Sequence, residues 1–158
     1  MNDESFSQHF YISRGVEDET EGLKQALSLA RNNHANLTVM VLTPELPRQM
    51  QAYREKFAGA LESEMRACVT AAAEAVKIDA TELDYALVFD TDTTPATKII
   101  KEILRKGYDL VIKEAESKEA GKGFRAVDMD LLRKCPCPVW LCRSISKPRA
   151  QINYAVAI

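Results

Sequence analysis

The sequence has few histidines, no long apolar run and no excess of charge of one sign, and each absence excludes a class of protein. His9 and His34 are the only histidines, so no histidine-rich metal site can form, and neither residue lies in a recognisable nucleophile motif. Lys plus Arg total 21 and Asp plus Glu 23, whereas nucleic-acid binding needs a clustered basic excess. No apolar run reaches the roughly 18 residues of a membrane-spanning helix. The polar start MNDESFSQHF is unlike a signal peptide, so we expect a cytoplasmic protein without nucleic-acid or membrane partners.

Cysteine is also sparse, with residues at positions 68, 135, 137 and 142. Without a targeting segment, free thiols are the better interpretation than disulfides. Cys135, Cys137 and Cys142 suggest zinc, but a single residue separates the first two and no histidine is near. Structural zinc sites favour wider spacing and four ligands, so we expect no metal. Arg133 and Lys134 give a weak basis for a lowered thiol pKa.

The order of apolar runs and helical periods predicts the fold class. Hydrophobic residues make up 46% of the 158 residues, enough for one well-buried domain. Five short apolar runs read as strands and alternate with helical patterns: 10–13, 37–42, 83–89, 109–112 and 139–142. This alternation calls for right-handed crossovers and a parallel sheet. We therefore predict a doubly wound α/β domain, with a five-stranded, mainly parallel sheet and helices on both faces.

The helical segments carry further expectations. A long helix from about 47 to 76 has apolar residues at three- and four-residue steps, including Met50, Tyr53 and Phe57. Thr94 is a predicted N-cap, followed by Pro95 at the first helical position. His34 should lie at the exit of the first helix, and His9, which precedes the first predicted strand, is expected at the surface or at an edge.

An open α/β sheet binds ligands outside the carboxyl ends of its strands, where the strand order reverses. In this sequence those ends are 13–15, 42–43, 90–92 and 113–114. Asp90-Thr91-Asp92 could hold Mg²⁺ beside a phosphate. The alternative that we favour is a solvated loop, in which acids and threonines cap the next helix through local hydrogen bonds.

From about residue 8 to residue 143 the chain resembles the universal stress protein family. The resemblance is carried by YDLVIK, followed by a loop, a short helix and LLRKCPCPVWLCR, and by the opening strand-helix-strand. It implies the sheet described above, in the adenine nucleotide alpha hydrolase-like superfamily, and a cytoplasmic protein that is commonly a homodimer. Many members bind ATP through an acidic residue after strand one and a glycine-rich loop after strand four.

This sequence departs from that ATP motif at each diagnostic position. Arg14 stands where the resemblance implies an acidic residue, Glu114 and Ser117 stand in place of glycines, and Arg125-Ala126 replaces the final Gly-Ser. Glycines let backbone N–H groups approach phosphate oxygens, whereas a carboxylate repels them. We therefore expect a non-enzymatic stress-response module without the usual ATP site and without a cofactor. The crevice positions are Ser13, Arg14, Leu42, Lys113, Glu114, Arg125, Ala126 and Val127.

An alternative keeps nucleotide binding. Arg14 and Lys113, supported by Lys122 and Arg125, could rebuild an anion site of a different shape. The chain would then be an ATP-binding stress sensor that uses Mg²⁺. The two hypotheses differ in the expected effect of substituting Arg14. The alternative predicts weaker nucleotide binding, whereas the main hypothesis predicts no effect.

Association is the positive part of the main expectation. Residues 1–145 form the predicted domain, and 146–158 form a linker and an extra strand. That strand is either the first strand of a second copy, as in the family's tandem subgroup, or a sixth strand on this domain's own edge. We expect a homodimer, or pairing with a second universal stress protein domain, through strand five, which is an edge of the sheet in this family and is made here of Val139, Trp140, Leu141 and Cys142.

Overall fold

The computed structural model describes residues 8–13, 20–79, 85–115, 126–143 and 154–157. Its strands are β1 (Gln8–Ser13), β2 (Asn36–Thr43), β3 (Tyr85–Thr91), β4 (Leu110–Glu114), β5 (Val139–Arg143) and β6 (Tyr154–Ala157). Its helices are α1 (Thr20–Asn33), α2 (Arg54–Ala75), α3 (Pro95–Lys106) and α4 (Ala126–Lys134), and a 3-10 helix (Arg48–Tyr53) precedes α2.

The strands form one sheet in the order β3-β2-β1-β4-β5-β6. The pairs from β3 through β5 are all parallel, and β6 is antiparallel to β5. The chain moves outward from β1 to β2 and β3, and then crosses back to β4 on the other side. The point where strand order reverses therefore lies between β1 and β4, as expected for a doubly wound fold.

Alternate residues of the strands enter two separate cores, one on each face of the sheet. Tyr11 and Ile112 pack with α1 and α2, whereas Phe10 and Val111 pack with α3 and α4. Because side chains alternate along a strand, neighbouring residues contribute to opposite cores. The predicted α/β architecture, with helices on both faces, is confirmed.

The apolar residues at the start of the long second helical segment are largely exposed. Met50, Tyr53 and Phe57 are 42%, 58% and 42% exposed, and the first buried residue of α2 is Met65. The 22 residues of α2 span about 33 Å. The eight residues of β2 span only about 26 Å. The helix is thus about 7 Å longer than the strand, which leaves room for about one turn of α2 beyond the sheet.

The start of α3 keeps the predicted position but not the predicted hydrogen bond. Thr94 is the N-cap residue and Pro95 follows at the first turn, but the Thr94 side chain makes no capping bond. Its hydroxyl instead donates to the carbonyl of Thr93 at 2.7 Å, and its φ of 44° is left-handed. At the other end, Gly107 has a φ of 78°, and its N–H donates a hydrogen bond to the Ile103 carbonyl, which ends the helix.

The predictions made for the two histidines had different outcomes. His34 lies at the exit of α1 with a left-handed φ of 53°, as predicted. His9 lies within β1 and is 1% exposed, so the expectation of a surface or edge residue was wrong. Its Nδ1 is 3.2 Å from Asp109 Oδ1, and its Nε2 is 3.0 Å from Asn33 Nδ2. A buried imidazole needs such polar partners.

Strand β6 occupies the position that we expected to be open. Trp140 pairs with Ala157 and Cys142 with Ala155, so β5 is an interior strand of this sheet. The premise that strand five is an edge is corrected accordingly. The origin of β6 as the first strand of a second copy stays a prediction. Over the described ranges, no helix is both long enough and apolar enough to cross a membrane.

Candidate functional site

The candidate site is the crevice at the carboxyl ends of β1 and β4, next to the first turn of α4. Ile12 pairs with Lys113 across these strands, so Ser13 and Glu114 are the next residues at the same edge. Ser13 is 1% and Lys113 2% exposed. The structure thus brings three of the predicted positions together, and Ala126 and Val127 begin the helix beside them.

A buried ion pair crosses this crevice. Lys113 Nζ lies 2.8 Å from Asp128 Oδ1, and the two side chains are 3% and 0% exposed. Lys113 also donates a hydrogen bond to the Glu114 carbonyl at 3.2 Å. Asp128 lies in the first turn of α4, where the positive end of the helix dipole favours a carboxylate.

Sequence reasoning missed Asp128. A signal was present, because the residue is the acidic group in the first turn of a short predicted helix, and Lys113 is the last residue but one of the preceding strand. Taken alone, Asp128 indicates only the start of a helix, and Lys113 indicates only the end of a strand. Their pairing depends on how α4 is placed over β4, and local sequence does not specify this placement.

The ion pair changes what the start of α4 can bind. In open α/β folds, the N–H groups of such a helix end commonly face an anionic ligand. Here the Asp128 carboxylate is already in the first turn, and the Lys113 ammonium is paired with it. Lys113 was the cation assigned to a phosphate in the alternative hypothesis, and its ammonium is directed to this internal carboxylate instead.

The α1 side of the crevice is closely packed. A Cβ placed on Gly22 would lie 2.9 Å from Tyr11 Oη and 3.5 Å from Glu114 Cβ. Since real Cβ atoms do not approach other atoms to 2.9 Å, only glycine fits here without movement. The first turn of α1 therefore lies directly against the ends of β1 and β4.

The remaining predicted positions are divided among different surroundings. Leu42 is 5% exposed and belongs to the core beneath α3 and α4. Ala126 is exposed, and Val127 packs partly buried against the same core. Arg14 and Arg125 lie outside the described residues.

A second concavity lies at the same edge of the sheet, beside β2 and β3. It has a volume of about 360 Å³. Apolar groups of Phe57, Leu61 and Phe89 line it together with the polar ends of the two strands at Thr43 and Asp90. This hollow is separated from the β1–β4 crevice by strand β2, given the strand order.

The loop Asp90-Thr91-Asp92 binds a lysine rather than capping α3. Lys98 Nζ lies 3.4 Å from Asp90 Oδ1 and donates to the Thr91 carbonyl at 3.2 Å and to Thr93 Oγ1 at 3.0 Å. Asp90 Oδ1 also accepts from the Thr91 N–H. Among the residues described, no group of three or more His, Cys, Asp or Glu side chains forms a metal cluster.

The four residues predicted to form a dimer contact are mostly core residues. Val139, Leu141 and Cys142 are 3%, 1% and 3% exposed, and the Cys142 thiol donates to Gln25 Oε1 at 3.5 Å. Trp140 is half-buried, and its indole N–H has no acceptor among the described residues. Contact through β5 would therefore require either opening the core or displacing β6. All four cysteines are free thiols.

Comparison with known proteins gives a consistent family. A sequence model described as the universal stress protein family matches residues 14–143. Universal stress protein E of Escherichia coli (strain K12) is 41% identical over 51 residues, which cover 31% of this chain and 16% of that protein. The resemblance that the sequence showed is thereby confirmed.

Solved structures agree in fold. A functionally unknown protein from Pseudomonas aeruginosa PAO1 has a TM-score of 0.59 and 20% identity, covering 91% of this chain and 45% of that chain. A universal stress protein solved in complex with cAMP has a TM-score of 0.59 and 16% identity, covering 89% of this chain and 98% of that chain. The alignment with the curated relatives spans only 16% of their length, and the tandem arrangement stays a prediction.

Proposed function

Because this chain belongs to the universal stress protein family, we propose that it is a non-catalytic stress-response module that lacks the family's usual ATP site. It acts by association with a second universal stress protein domain, in the same or another chain. The observation that carries this proposal is the buried Lys113–Asp128 ion pair at the β1–β4 crevice.

The ion pair opposes phosphate binding in two ways. A phosphate at the start of α4 meets the Asp128 carboxylate, which has the same sign of charge. Drawing Lys113 toward the phosphate separates a buried pair, and this costs about 3–5 kcal/mol. Micromolar binding corresponds to about 8 kcal/mol, so such a cost would weaken it by roughly a hundred-fold to several thousand-fold.

The positions of the histidines support a non-catalytic role. His9 lies near the amino end of β1, where Asp109 and Asn33 contact its two ring nitrogens. The crevice is at the opposite, carboxyl end of that strand. His34 is exposed at the exit of α1. Neither imidazole is placed to act as a general base for a ligand in the crevice.

Exposed apolar side chains support association. Met50, Tyr53 and Phe57 form what we call the α2 patch, on the 3-10 helix and the first turn of α2. The three side chains are large, exposed and close in sequence, and clustered exposed apolar side chains mark interaction sites. A second candidate surface is the β5–β6 side of the sheet, where β6 is the last strand in the order of the described strands.

Titration of the full chain with a fluorescent ATP analogue and Mg²⁺ tests the missing ATP site. We expect no saturable binding in the micromolar range, and no binding of cAMP under the same conditions. Asp128→Asn is the matched variant, because it keeps the shape of the side chain and removes its charge. We expect at least about tenfold tighter nucleotide binding by this variant. Micromolar, Mg²⁺-dependent binding by the wild-type chain would overturn the proposal.

The second candidate function is an ATP-binding stress sensor with a phosphate site rebuilt at Arg14 and Lys113. The observation that favours it is the similar fold of a universal stress protein solved with cAMP. It requires measurable wild-type affinity that Arg14→Ala reduces. The main proposal expects identical, negligible signals from the wild type and from Arg14→Ala.

Light scattering of the full chain tests association. We expect the mass of a dimer, and two variants locate its contact. Removal of residues 144–158 abolishes the dimer if the contact is at the β5–β6 side, whereas Tyr53→Glu with Phe57→Glu abolishes it if the contact is at the α2 patch. A monomeric mass at every concentration would contradict self-association.

A further inference from the structure

Two cysteines lie side by side in the turn between α4 and β5. Cys135 Sγ is 3.9 Å from Cys137 Sγ, and an exposed proline, Pro136, separates the two residues. Both thiols are partly buried, and both line a cavity of about 260 Å³ with Leu131 and Val139. We propose that Cys135 and Cys137 form a dithiol that small-molecule disulfides, such as oxidised glutathione, reversibly convert to an intramolecular disulfide.

The turn is held at both ends, so the short distance between the thiols is a property of the fold. The Cys135 N–H donates to the Leu131 carbonyl at 3.0 Å and so completes the last turn of α4. Beyond Pro138, whose carbonyl accepts from the Val111 N–H at 3.0 Å, strand β5 begins. A disulfide needs the sulfurs about 2.05 Å apart. Starting from 3.9 Å, the two sulfurs must therefore approach each other by about 1.9 Å.

The two thiols have different acidities. A hydrogen bond from Cys137 lowers the pKa of Cys135 to about 7, against an opposing effect of burial. The same hydrogen bond, then burial and the nearby Asp109 carboxylate, raise the pKa of Cys137. Arg133, which was the expected cause of a lowered pKa, is instead 3.6 Å from Asp130. Cys135 is thus the attacking thiolate, and Cys137 is the resolving thiol.

The reaction is a pair of thiol–disulfide exchanges. The Cys135 thiolate attacks one sulfur of oxidised glutathione, which forms a mixed disulfide and releases one glutathione thiolate. Cys137 then gives up its proton and attacks Cys135 Sγ, which forms the Cys135–Cys137 bond and releases the second glutathione thiolate. The two cysteines are oxidised, and oxidised glutathione is reduced to two molecules of glutathione.

The dithiol lies away from the β1–β4 crevice. Cys137 precedes β5 and so lies at the amino end of this strand, whereas the crevice is at the carboxyl ends of the parallel strands. Oxidation therefore leaves the Lys113–Asp128 pair in place. The dithiol does not depend on the proposed function, and either can fail without the other.

Mass spectrometry of the reduced full chain after reaction with oxidised glutathione tests the proposal. We expect the wild type to lose two hydrogens and to yield a peptide with Cys135 linked to Cys137. Cys137→Ser should retain one glutathione on Cys135, and Cys135→Ser should react at least about tenfold more slowly. Cys68→Ser is the matched control, because it keeps the pair and should behave as the wild type does.

Two results would overturn the proposal. One is a wild-type chain that stays reduced or retains glutathione on Cys135, as Cys137→Ser does. The other is an intramolecular disulfide that forms equally fast in the folded chain and in urea, because the fold would then contribute nothing. We expect the folded chain to react at least about tenfold faster.

Discussion

Lys113 near the end of β4 and Asp128 in the first turn of α4 place opposite charges 2.8 Å apart, inside the protein. The pair joins the sheet to the helix that covers its α3–α4 face. Buried ion pairs add little net stability compared with apolar residues of similar volume, but the loss of one partner is costly. We therefore expect the pair to contribute little net stability, although the loss of either partner is costly.

Substitution of the pair gives a first prediction. Lys113→Met leaves the Asp128 carboxylate buried without its cation, and we expect the free energy of unfolding to fall by about 3–5 kcal/mol. The double substitution Lys113→Met with Asp128→Leu removes both charges. We expect this double variant to return to within about 1 kcal/mol of the wild type, or to exceed it. Urea denaturation followed by circular dichroism measures these differences.

An exposed pair supplies the control for this cycle. Lys24 and Glu21 lie 3.3 Å apart on α1, with side chains 31% and 47% exposed. We expect Lys24→Met to cost no more than about 0.5 kcal/mol. Additive effects of the two single substitutions at Lys113 and Asp128 would show that the buried charges do not interact.

Two glycines in helices should respond to alanine in opposite directions. A Cβ at Gly22 would lie 2.9 Å from Tyr11 Oη, whereas nothing lies within 4 Å of a Cβ at Gly59. We expect Gly22→Ala to destabilise the protein by about 1–3 kcal/mol. Gly59→Ala should stabilise it by about 0.5–1 kcal/mol, because alanine has the higher helix propensity.

Thermal unfolding measures both substitutions at the two glycines. Adding Tyr11→Phe to Gly22→Ala removes the hydroxyl that the new methyl group meets, and most of the lost stability should return. If Gly22→Ala and Gly59→Ala shift the midpoint in the same direction, the close contact between α1 and Tyr11 is not as described.

The sheet could be predicted from the sequence because its determinants are local. Strands such as Leu37–Leu42 are short apolar runs rich in branched residues, and helices begin and end at residues such as Pro95 and Gly107. Periodicity did not reveal that the apolar residues at the start of α2 are exposed. The spacing of Tyr53 and Phe57 indicates that they share a helix face, but not that anything covers this face.

The location of the candidate site could be predicted from the sequence, but the side-chain contacts within it could not. Its place follows from strand order, which the alternation of strands and helices implies. The partner of Lys113 depends on the placement of α4, and the burial of His9 depends on Asp109 and Asn33, distant in sequence. Such contacts depend on tertiary packing, so they cannot be predicted from the residues of one strand or helix alone.

The buried imidazole gives a third prediction. Asp109→Ala removes the carboxylate that faces His9 Nδ1 and that also accepts from the Gln8 N–H at 3.4 Å. We expect a loss of about 1–3 kcal/mol, because a buried ring nitrogen is left without its partner. Asp130→Ala, at an exposed ion pair on α4, should change stability by less than about 0.5 kcal/mol. Equal losses in urea denaturation would contradict the assignment.

The pH dependence of alkylation gives the last prediction. Because the pKa of Cys135 is lowered to about 7, its thiolate fraction and its rate with iodoacetamide should rise through about pH 7. In urea the rise should move to the ordinary cysteine value of about 8.5. Cys137→Ala removes the hydrogen-bond donor that stabilises the thiolate, so the midpoint should rise in the folded chain as well.

Cys142 is the internal control in the alkylation experiment, in which peptide mapping reports the modification of each cysteine. Burial, and then the Glu114 carboxylate, raise its pKa to about 12, so it should stay unmodified in the folded chain throughout the range in which Cys135 reacts. A Cys135 midpoint that is the same in the wild type and in Cys137→Ala would show that the thiol–thiol hydrogen bond does not set its acidity. A midpoint that rises only in the variant would assign the acidity to Cys137.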